Sequence, residues 1–494
     1  MKKIILFSIG VAIIAFSFSC KKKFDDLNQN PNSPKDAPSQ MLLANVIVSS
    51  AYDLQLSAGL VIVDQWVQHT KATTYYDEDH YNPRTDRMDI IWSHLYARSF
   101  EDCIQAITMA EKNSQPDNQA IGLIMKGYIG YNLTMLYGDV PYTQAGQGDA
   151  GTILPAYDPQ QTVLNGIITD LDHAISLIGS TTTAVEAEEL GTYDYVYGGN
   201  MANWKKFANG LKLRVYLTIN TEGEHSEVSE INSILSSSDI FQSSADEAKL
   251  IYSTSDNPVY QWVNPGSSRR TDFRMSRTLV NYMMGSSLDS TLPADKRLTI
   301  YADPVASGPD SSKYVGGING VHGSIEIANN SALGSIFYNP GTPYFFMSYS
   351  ELLFIKAEMD TTNQANYVAA VTASFEQNGL SDADATTMLL DPKFIWNAAN
   401  GGKLINEQKW VSLFGQGVEA FNSWRRSGYP RLIPAATAAT NNGFVPRRIE
   451  YNTNEKYLNL TNVNVGVQGL KPISDLISSQ VWFDHNHLTN FGNK

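Results

Sequence analysis

Between Ile91 and Ala110, apolar or small side chains recur every three or four residues, as Ile91, Trp92, Leu95, Tyr96, Ser99, Cys103, Ala106, Ile107 and Ala110. That period places them on one face of a helix. A second stripe, Ile121, Ile124, Met125, Tyr128, Tyr131 and Met135, follows a short polar gap at 113–118 that contains Pro116. So brief a connection predicts two antiparallel helices joined by a tight turn. Asp158-Pro159 reads as an N-cap with proline at the first helical position. Val163, Leu164, Ile167, Ile168, Leu171, Ile175 and Ile178 then form another stripe. Trp204, Phe207, Ala208, Leu211, Val215 and Ile219 repeat the pattern, and a first helix is expected to begin near Gln40.

From Ser237 to about Pro343 the helical period fades. Gly, Ser, Asn, Asp and Pro dominate, as in 264–268 and 316–320, which predicts loops and short strands. Tyr252, Tyr260, Trp262, Tyr301, Tyr314 and Tyr338 are spaced through this stretch, and so many rings favour an ordered surface. Helix is expected again over Tyr344–Met359, apolar nearly all round, and over Ile405–Trp424, before an Asn-rich irregular tail from Tyr429-Pro430 to Lys494. The fold class is therefore all-α: helical hairpins of a tetratricopeptide-like period, without that repeat's clean consensus, plus a loop-rich, irregular half with short strands. The helical part covers about 41–236 and 344–426, and the loop-rich part about 237–343 and 427–494.

The N-terminus has a different pattern. Lys2-Lys3 precedes a run from Ile4 to Phe18 that is apolar except for Ser8, Gly10 and Ser17, which is too short to span a bilayer and fits a signal-peptide core. Ser19-Cys20 follows, so residues 1–19 read as signal peptide and 20–40 as a lipidated cysteine with a polar, proline-punctuated tether. Cys20 is then the lipidation site, and acyl chains would supply the only membrane attachment, since no later segment reads as long enough to span. The other cysteine, Cys103, lies on an apolar stripe and reads as a small buried hydrophobe.

Composition narrows the function. The 494 residues carry 36 basic and 50 acidic side chains, a formal charge of −14, which argues against sequence-independent affinity for nucleic acid. Only 17% are charged, whereas 11% are aromatic and Tyr (26) outnumbers Phe (19). Polarity carried by amides, hydroxyls and phenols suits an uncharged polyhydroxylated ligand.

Several segments together resemble the SusD/RagB family of outer-membrane nutrient-binding lipoproteins, in its SusD-like branch. They are Asn30–Pro34; Gly138-Asp139-Val140-Pro141-Tyr142; Trp204–Asn209 running to Leu213-Arg214; Met347–Glu358; Gln408–Trp410 through Phe414–Arg426; and Pro446–Tyr451. They occur in the family's order over about 20–460. The resemblance implies a single SusD-like domain over 41–494, surface capture of a glycan or other nutrient without catalysis, and delivery to a SusC-like TonB-dependent transporter. The alternatives are a structural lid subunit with no ligand affinity of its own, or a peptide ligand instead of a glycan. Outer-membrane location, lipid-anchored and facing outward, is implied too, although three lysines follow Cys20 where an acidic patch is usual. Phe421 stands where the family often has Trp.

Catalytic and cofactor chemistry finds little support. Gly415-Gln416-Gly417-Val418-Glu419-Ala420 matches a dinucleotide fingerprint formally, but a helix precedes it where a strand is needed. Asp484-His485-Asn486-His487 could chelate zinc, and Asp77-Glu78-Asp79 could offer oxygens to a structural calcium; solvated segments are the simpler reading of both. No cofactor is otherwise expected. Glycoside hydrolysis needs two carboxylates about 5–9.5 Å apart, and no pair stands out. Aromatic binding remains: a sugar packs its C–H face on a ring while its hydroxyls meet amides and guanidinium groups. Two clusters offer this, one of Trp66, Gln68, Tyr75, Tyr76 and Tyr81, the other of Asn257, Tyr260, Trp262, Asn264, Arg269 and Arg270, with the second preferred for its irregular, polar surroundings.

Overall fold

The hydrophobic stripes become helices that pack in the order the chain supplies them. The computed structural model describes residues 37–148, 151–180, 190–220, 227–253, 256–436 and 444–484. The signal segment, Cys20, nearly all of the tether, Asn30–Pro34, and His485 and His487 lie outside these residues. From Ser39 onward the chain forms one unit.

Helix α1 (Ser39–Tyr52) continues through a π-helical stretch, Asp53–Val63, to Trp66. This 28-residue helix is apolar and long enough to cross a membrane, which the sequence reading did not foresee; 78% of its most apolar window is buried within the fold, as in the core helix of a soluble protein. Next come α2 (Thr85–His94), α3 (Glu101–Lys112), α4 (Pro116–Tyr137), α5 (Gln160–Ile178) and α6 (Met201–Asn220). Helix α4 packs on α3 and α5, and α6 packs on α5, which is the expected hairpin array. Gly138, with φ of +91°, ends α4 in a conformation that a side chain would strain. The residue expected to cap α5 does something else: Asp158 accepts from the backbone N–H groups of Tyr142 and Thr143, while the Asp139 carboxylate receives the Gln160 N–H at 2.9 Å.

Among the described residues there are six short strands in three antiparallel pairs: β1 (Thr70–Ala72) with β3 (Phe273–Met275), β2 (Ala248–Leu250) with β6 (Tyr344–Met347), and β4 (Ala302–Asp303) with β5 (Ala332–Leu333). The middle of the chain also contains more helix than expected, including α7 (Pro258–Val263).

Helix does not start at Tyr344. Tyr344–Met347 is β6, and Ser348 caps the following helix, α8 (Tyr349–Met359), by accepting from Glu351 N–H. The expected helix over Ile405–Trp424 is two helices, α9 (Gly401–Ser412) and α10 (Gly417–Ser427), separated where Gly415 adopts φ +85°. Gly417 lies so close to the Asp64 carboxylate that a Cβ there would collide with it, so the apparent dinucleotide fingerprint is a turn and a close helix contact. The tail is only partly irregular, since Thr453–Leu458 and Leu460–Gln468 are helical.

Arginines tie these parts together. Arg214 on α6 makes a two-pronged pair with Glu351 on α8, at 2.8 and 2.7 Å, in the buried interior. Arg425 donates to the carbonyls of Met135 and Arg447, and Arg448 to that of Tyr137, joining the tail to the end of α4. Phe421 is fully buried against Trp66, 5.7 Å between ring centres, and Cys103 is fully buried as well.

Candidate functional site

The β1–β3 ribbon connects segments about two hundred residues apart in sequence. Thr70, Lys71 and Ala72 face Met275, Arg274 and Phe273, and the ladder runs one step further through the Thr73 N–H to the Asp272 carbonyl at 2.9 Å. Because the strands are antiparallel, the chain leaving β1 towards Tyr75 and Tyr76 and the chain arriving at β3 through Arg269 and Arg270 share one end of the ribbon. Tyr75 and Tyr76 of one ring cluster and Arg269 of the other thus lie a few residues beyond the same end of the ribbon.

On the β1 side, Tyr75 is 60% exposed and sits at φ +54°. Tyr76 stacks flat on His322, with ring centres 3.6 Å apart and planes within 4°. His80 leans on both, 4.8 Å from Tyr76 and 5.3 Å from His322. Arg84 lies over Tyr75 at 5.6 Å while holding Glu78 with two hydrogen bonds of 3.0 and 3.2 Å. On the β3 side, Arg269 lies 4.3 Å over the half-buried ring of Trp262.

The loop carrying His322 is fixed from below. Asp79 is fully buried and accepts from Asn319 Nδ2 at 2.7 Å and from Gly320 N–H at 2.8 Å. Burial pushes its carboxyl up to about 7, against the pull of those donors and of Lys71. Burial, aided by the neighbouring His322, also holds His80 below the usual imidazole range, which keeps that ring neutral at neutral pH. The surface formed is a set of flat rings flanked by guanidinium groups. At the other end of the same loop, a cavity of about 310 Å³ is lined by Gln68, Arg277, Asn281, Asn319 and Arg431 among others.

Several expected ligand contacts have other tasks. Trp66 and Tyr81 are fully buried: the indole N–H donates to the Glu78 carbonyl at 3.0 Å, and the Tyr81 hydroxyl accepts from Ala435 N–H. Trp66 ends a long apolar run and closes over the core, so neither ring can meet a ligand. Gln68 is buried and bridges Thr278 and the Ile433 carbonyl. Asn257 is the N-cap of α7, Asn264 folds back on the Tyr260 carbonyl, and Arg270 is spent on Asp303 and on the carbonyls of Val263 and Leu333. Tyr260 is half-buried on α7, a helix where irregular chain was expected. Tyr75, Tyr76, Trp262 and Arg269 stay on the surface. His80 and His322 were missed, and only their aromatic character and, for His80, nearness to Tyr76 could have pointed to them. The carboxylates of Asp77-Glu78-Asp79 do not gather into a calcium cage, since Glu78 turns to Arg84 and Asp79 to Asn319. Asp484 is buried against Arg447. No cluster of three or more His, Cys, Asp or Glu suited to a metal occurs among the described residues.

The arrangement defines a class of protein, a helical-hairpin scaffold that presents an aromatic surface on a short ribbon. The chain belongs to the SusD-like family described as "Starch-binding associating with outer membrane", which it matches over residues 31–452. No curated protein sequence matches it. Among solved structures it resembles a chitin-binding protein, with 22% identity, TM-score 0.77, and 91% of this chain and 100% of that one covered. It also resembles a SusD homologue from Bacteroides uniformis, with 22% identity, TM-score 0.79, and 91% and 99% covered. A chitin-binding SusD homologue from Flavobacterium johnsoniae matches with 23% identity, TM-score 0.74, and 90% and 98% covered. At these identities the likeness establishes the fold.

Proposed function

We propose that this protein captures a neutral glycan on the surface built from Tyr75, Tyr76, His322, Trp262 and Arg269, and passes it unchanged to a SusC-like TonB-dependent transporter. The reading is supported by partly exposed rings and guanidinium groups on the two chain segments that flank the same end of the β1–β3 ribbon, the Tyr76–His322 stack on one and the Trp262–Arg269 pair on the other. Rings of this kind accept the C–H face of a sugar, and the cations and nearby amides meet its hydroxyls. Chitin binding by two proteins of the same fold makes N-acetylglucosamine polymers the first ligands to try. Anchoring would come through acyl chains on Cys20, with the protein held at the outer membrane and facing outward.

Affinity electrophoresis and calorimetry over starch, chitin oligosaccharides and other glycans test the reading. Tyr76→Ala and Trp262→Ala should each weaken binding about tenfold, the equivalent of ~1.4 kcal/mol, with helicity by circular dichroism unchanged. Binding of peptides but no glycan would move the reading to peptide capture. No binding to either would leave a structural subunit of the transporter. Release of new reducing ends from an oligosaccharide would overturn the non-catalytic part, and failure to incorporate labelled palmitate at Cys20 would overturn the anchor.

A further inference from the structure

The opposite end of the β1–β3 ribbon carries different chemistry. There the Ser276 N–H reaches the His69 carbonyl at 3.2 Å, so Gln68, just before β1, and Arg277 and Thr278, just after β3, lie beyond the end away from Tyr75 and Arg269. The cavity of about 310 Å³ is at this point, between the short helix Arg277–Met283, the loop at 318–319 and the segment 431–434. Its walls are tied to one another. The buried Gln68 side chain accepts from the Thr278 hydroxyl and donates to the Ile433 carbonyl. Ser276 Oγ donates to Asn319 Oδ1 at 2.7 Å, and the Ala436 N–H donates to the Asn319 carbonyl at 3.0 Å. The space is therefore built before a ligand arrives, which lowers the cost of ordering it on binding.

The charge of the lining is one-sided. Arg277 and Arg431 both line the cavity and both are exposed, and no acidic side chain lines it among the described residues, in a chain whose 50 acidic side chains outnumber its 36 basic ones. Other arginines are engaged with carboxylates, Arg214 with Glu351, Arg270 with Asp303 and Arg297 with Asp295. Arg277 is different. It lies four residues before Asn281 and so shares a helix face with it. Neither side chain makes a hydrogen bond or ion pair among the described residues, and both are exposed, so their donors are accessible to a ligand. Beside them the Thr278 hydroxyl, whose proton goes to Gln68, can still accept. Ile318 and Ile433, 37% and 72% exposed, add apolar wall. The volume reaches the roughly 300 Å³ at which small-molecule pockets begin, and a bare inorganic anion would leave most of it unfilled.

We infer that this cavity is a second binding site, separate from the ring surface at the other end of the ribbon, that takes a sugar unit bearing a carboxylate, a hexuronate. Arg277 and Arg431 hold the carboxylate through charge-assisted hydrogen bonds, a planar fork meeting a planar acid. The Asn281 amide donates to a ring oxygen, Thr278 accepts from a hydroxyl, and the C–H face of the sugar rests on Ile318 and Ile433. A neutral sugar forgoes the contact with both cations and is held weakly here. The inference does not rest on glycan capture by the rings, since the two sites share no side chain.

Titration of the full chain with D-glucuronate and, separately, D-galacturonate tests the inference, by calorimetry and by ligand-observed NMR, with D-glucose and sodium acetate as controls. At least one uronate should bind saturably, and about tenfold or more tighter than either control. Binding should be equal in the Tyr76→Ala, Trp262→Ala double variant, which keeps this test separate from that of the ring surface. Arg277→Met and Arg431→Met should each weaken it about tenfold. Asn281→Glu, an exposed change that sets a carboxylate four residues after Arg277, should abolish it and decides the matter if the Arg431 variant folds poorly. The inference is overturned if neither uronate binds, if D-glucose binds as tightly as the uronates, or if binding is lost with the rings. It is also overturned if acetate binds as tightly, which would reduce the site to an adventitious ion only, or if Arg277→Met and Asn281→Glu bind like the wild type.

Discussion

Asp79→Asn gives access to the pin beneath the His322 loop. Asp79 has a folded-state pKa of about 7 against an ordinary value of 3.8, because burial outweighs the donors that reach it. The native state therefore keeps a proton that the unfolded chain has already released, so stability is full below the unfolded value and declines as pH rises towards 7. Over about 3 pH units, at about 1.36 kcal/mol per unit, the decline is on the order of 4 kcal/mol. Asparagine does not titrate, and its NH2 would face a donor where Asp79 now accepts from Asn319 or Gly320, a mismatch costing about 1–3 kcal/mol at every pH. The wild type should thus be the more stable protein near pH 4.5 by about that mismatch, and should lose or reverse the advantage by about pH 8. Urea unfolding followed by far-ultraviolet circular dichroism at a series of pH values gives both curves. Their difference is the readout, since titrations common to the two proteins cancel. A difference that stays flat between those two pH values would refute the reasoning.

Three further outcomes are expected. Arg214→Met leaves Glu351 buried without its cation and should destabilise the protein by about 3–5 kcal/mol in urea unfolding, whereas a loss below about 1 kcal/mol would place that pair in the range of surface ion pairs. Burial drives the Cys103 thiol far above its ordinary range, so a thiol-specific reagent should label that residue only after denaturation; labelling of the native protein would contradict its place in the core. His80, held low by burial and by His322, should stay neutral until the pH falls below the ordinary imidazole value. Glycan affinity should accordingly be level around neutrality and fall in acid, and His80→Gln should flatten that fall.

Helices with a long apolar period could be read directly: α3 and α5 each bury one stripe against a helix next to them in the chain, and in α4 and α6 the same stripe is part of a wider buried surface. The short elements could not. Tyr344–Met347 is four apolar residues, which suits a strand as well as a helix turn, and only the Ser348-x-x-Glu351 spacing marked the true helix start. The break at Gly415 was similarly hidden, because glycine inside an apolar run can be packed as easily as bent. At the site, residue type gave the chemistry but not the exposure. Trp66 and Tyr76 look equally suited to a sugar in sequence, yet one closes over the core and the other stacks on the surface. Nothing local to His322 announces its stacking on Tyr76, since that partner lies far away along the chain and only the fold brings them together.

That ribbon makes recognition a late event in the life of the polypeptide. Thr70 cannot meet Met275 until more than half of the sequence has been made, and the rings on either side have no common surface before then. A shortened or misassembled product would keep individual hairpins and yet lack the ribbon, so binding at the proposed surface would double as a certificate that the whole molecule has been built.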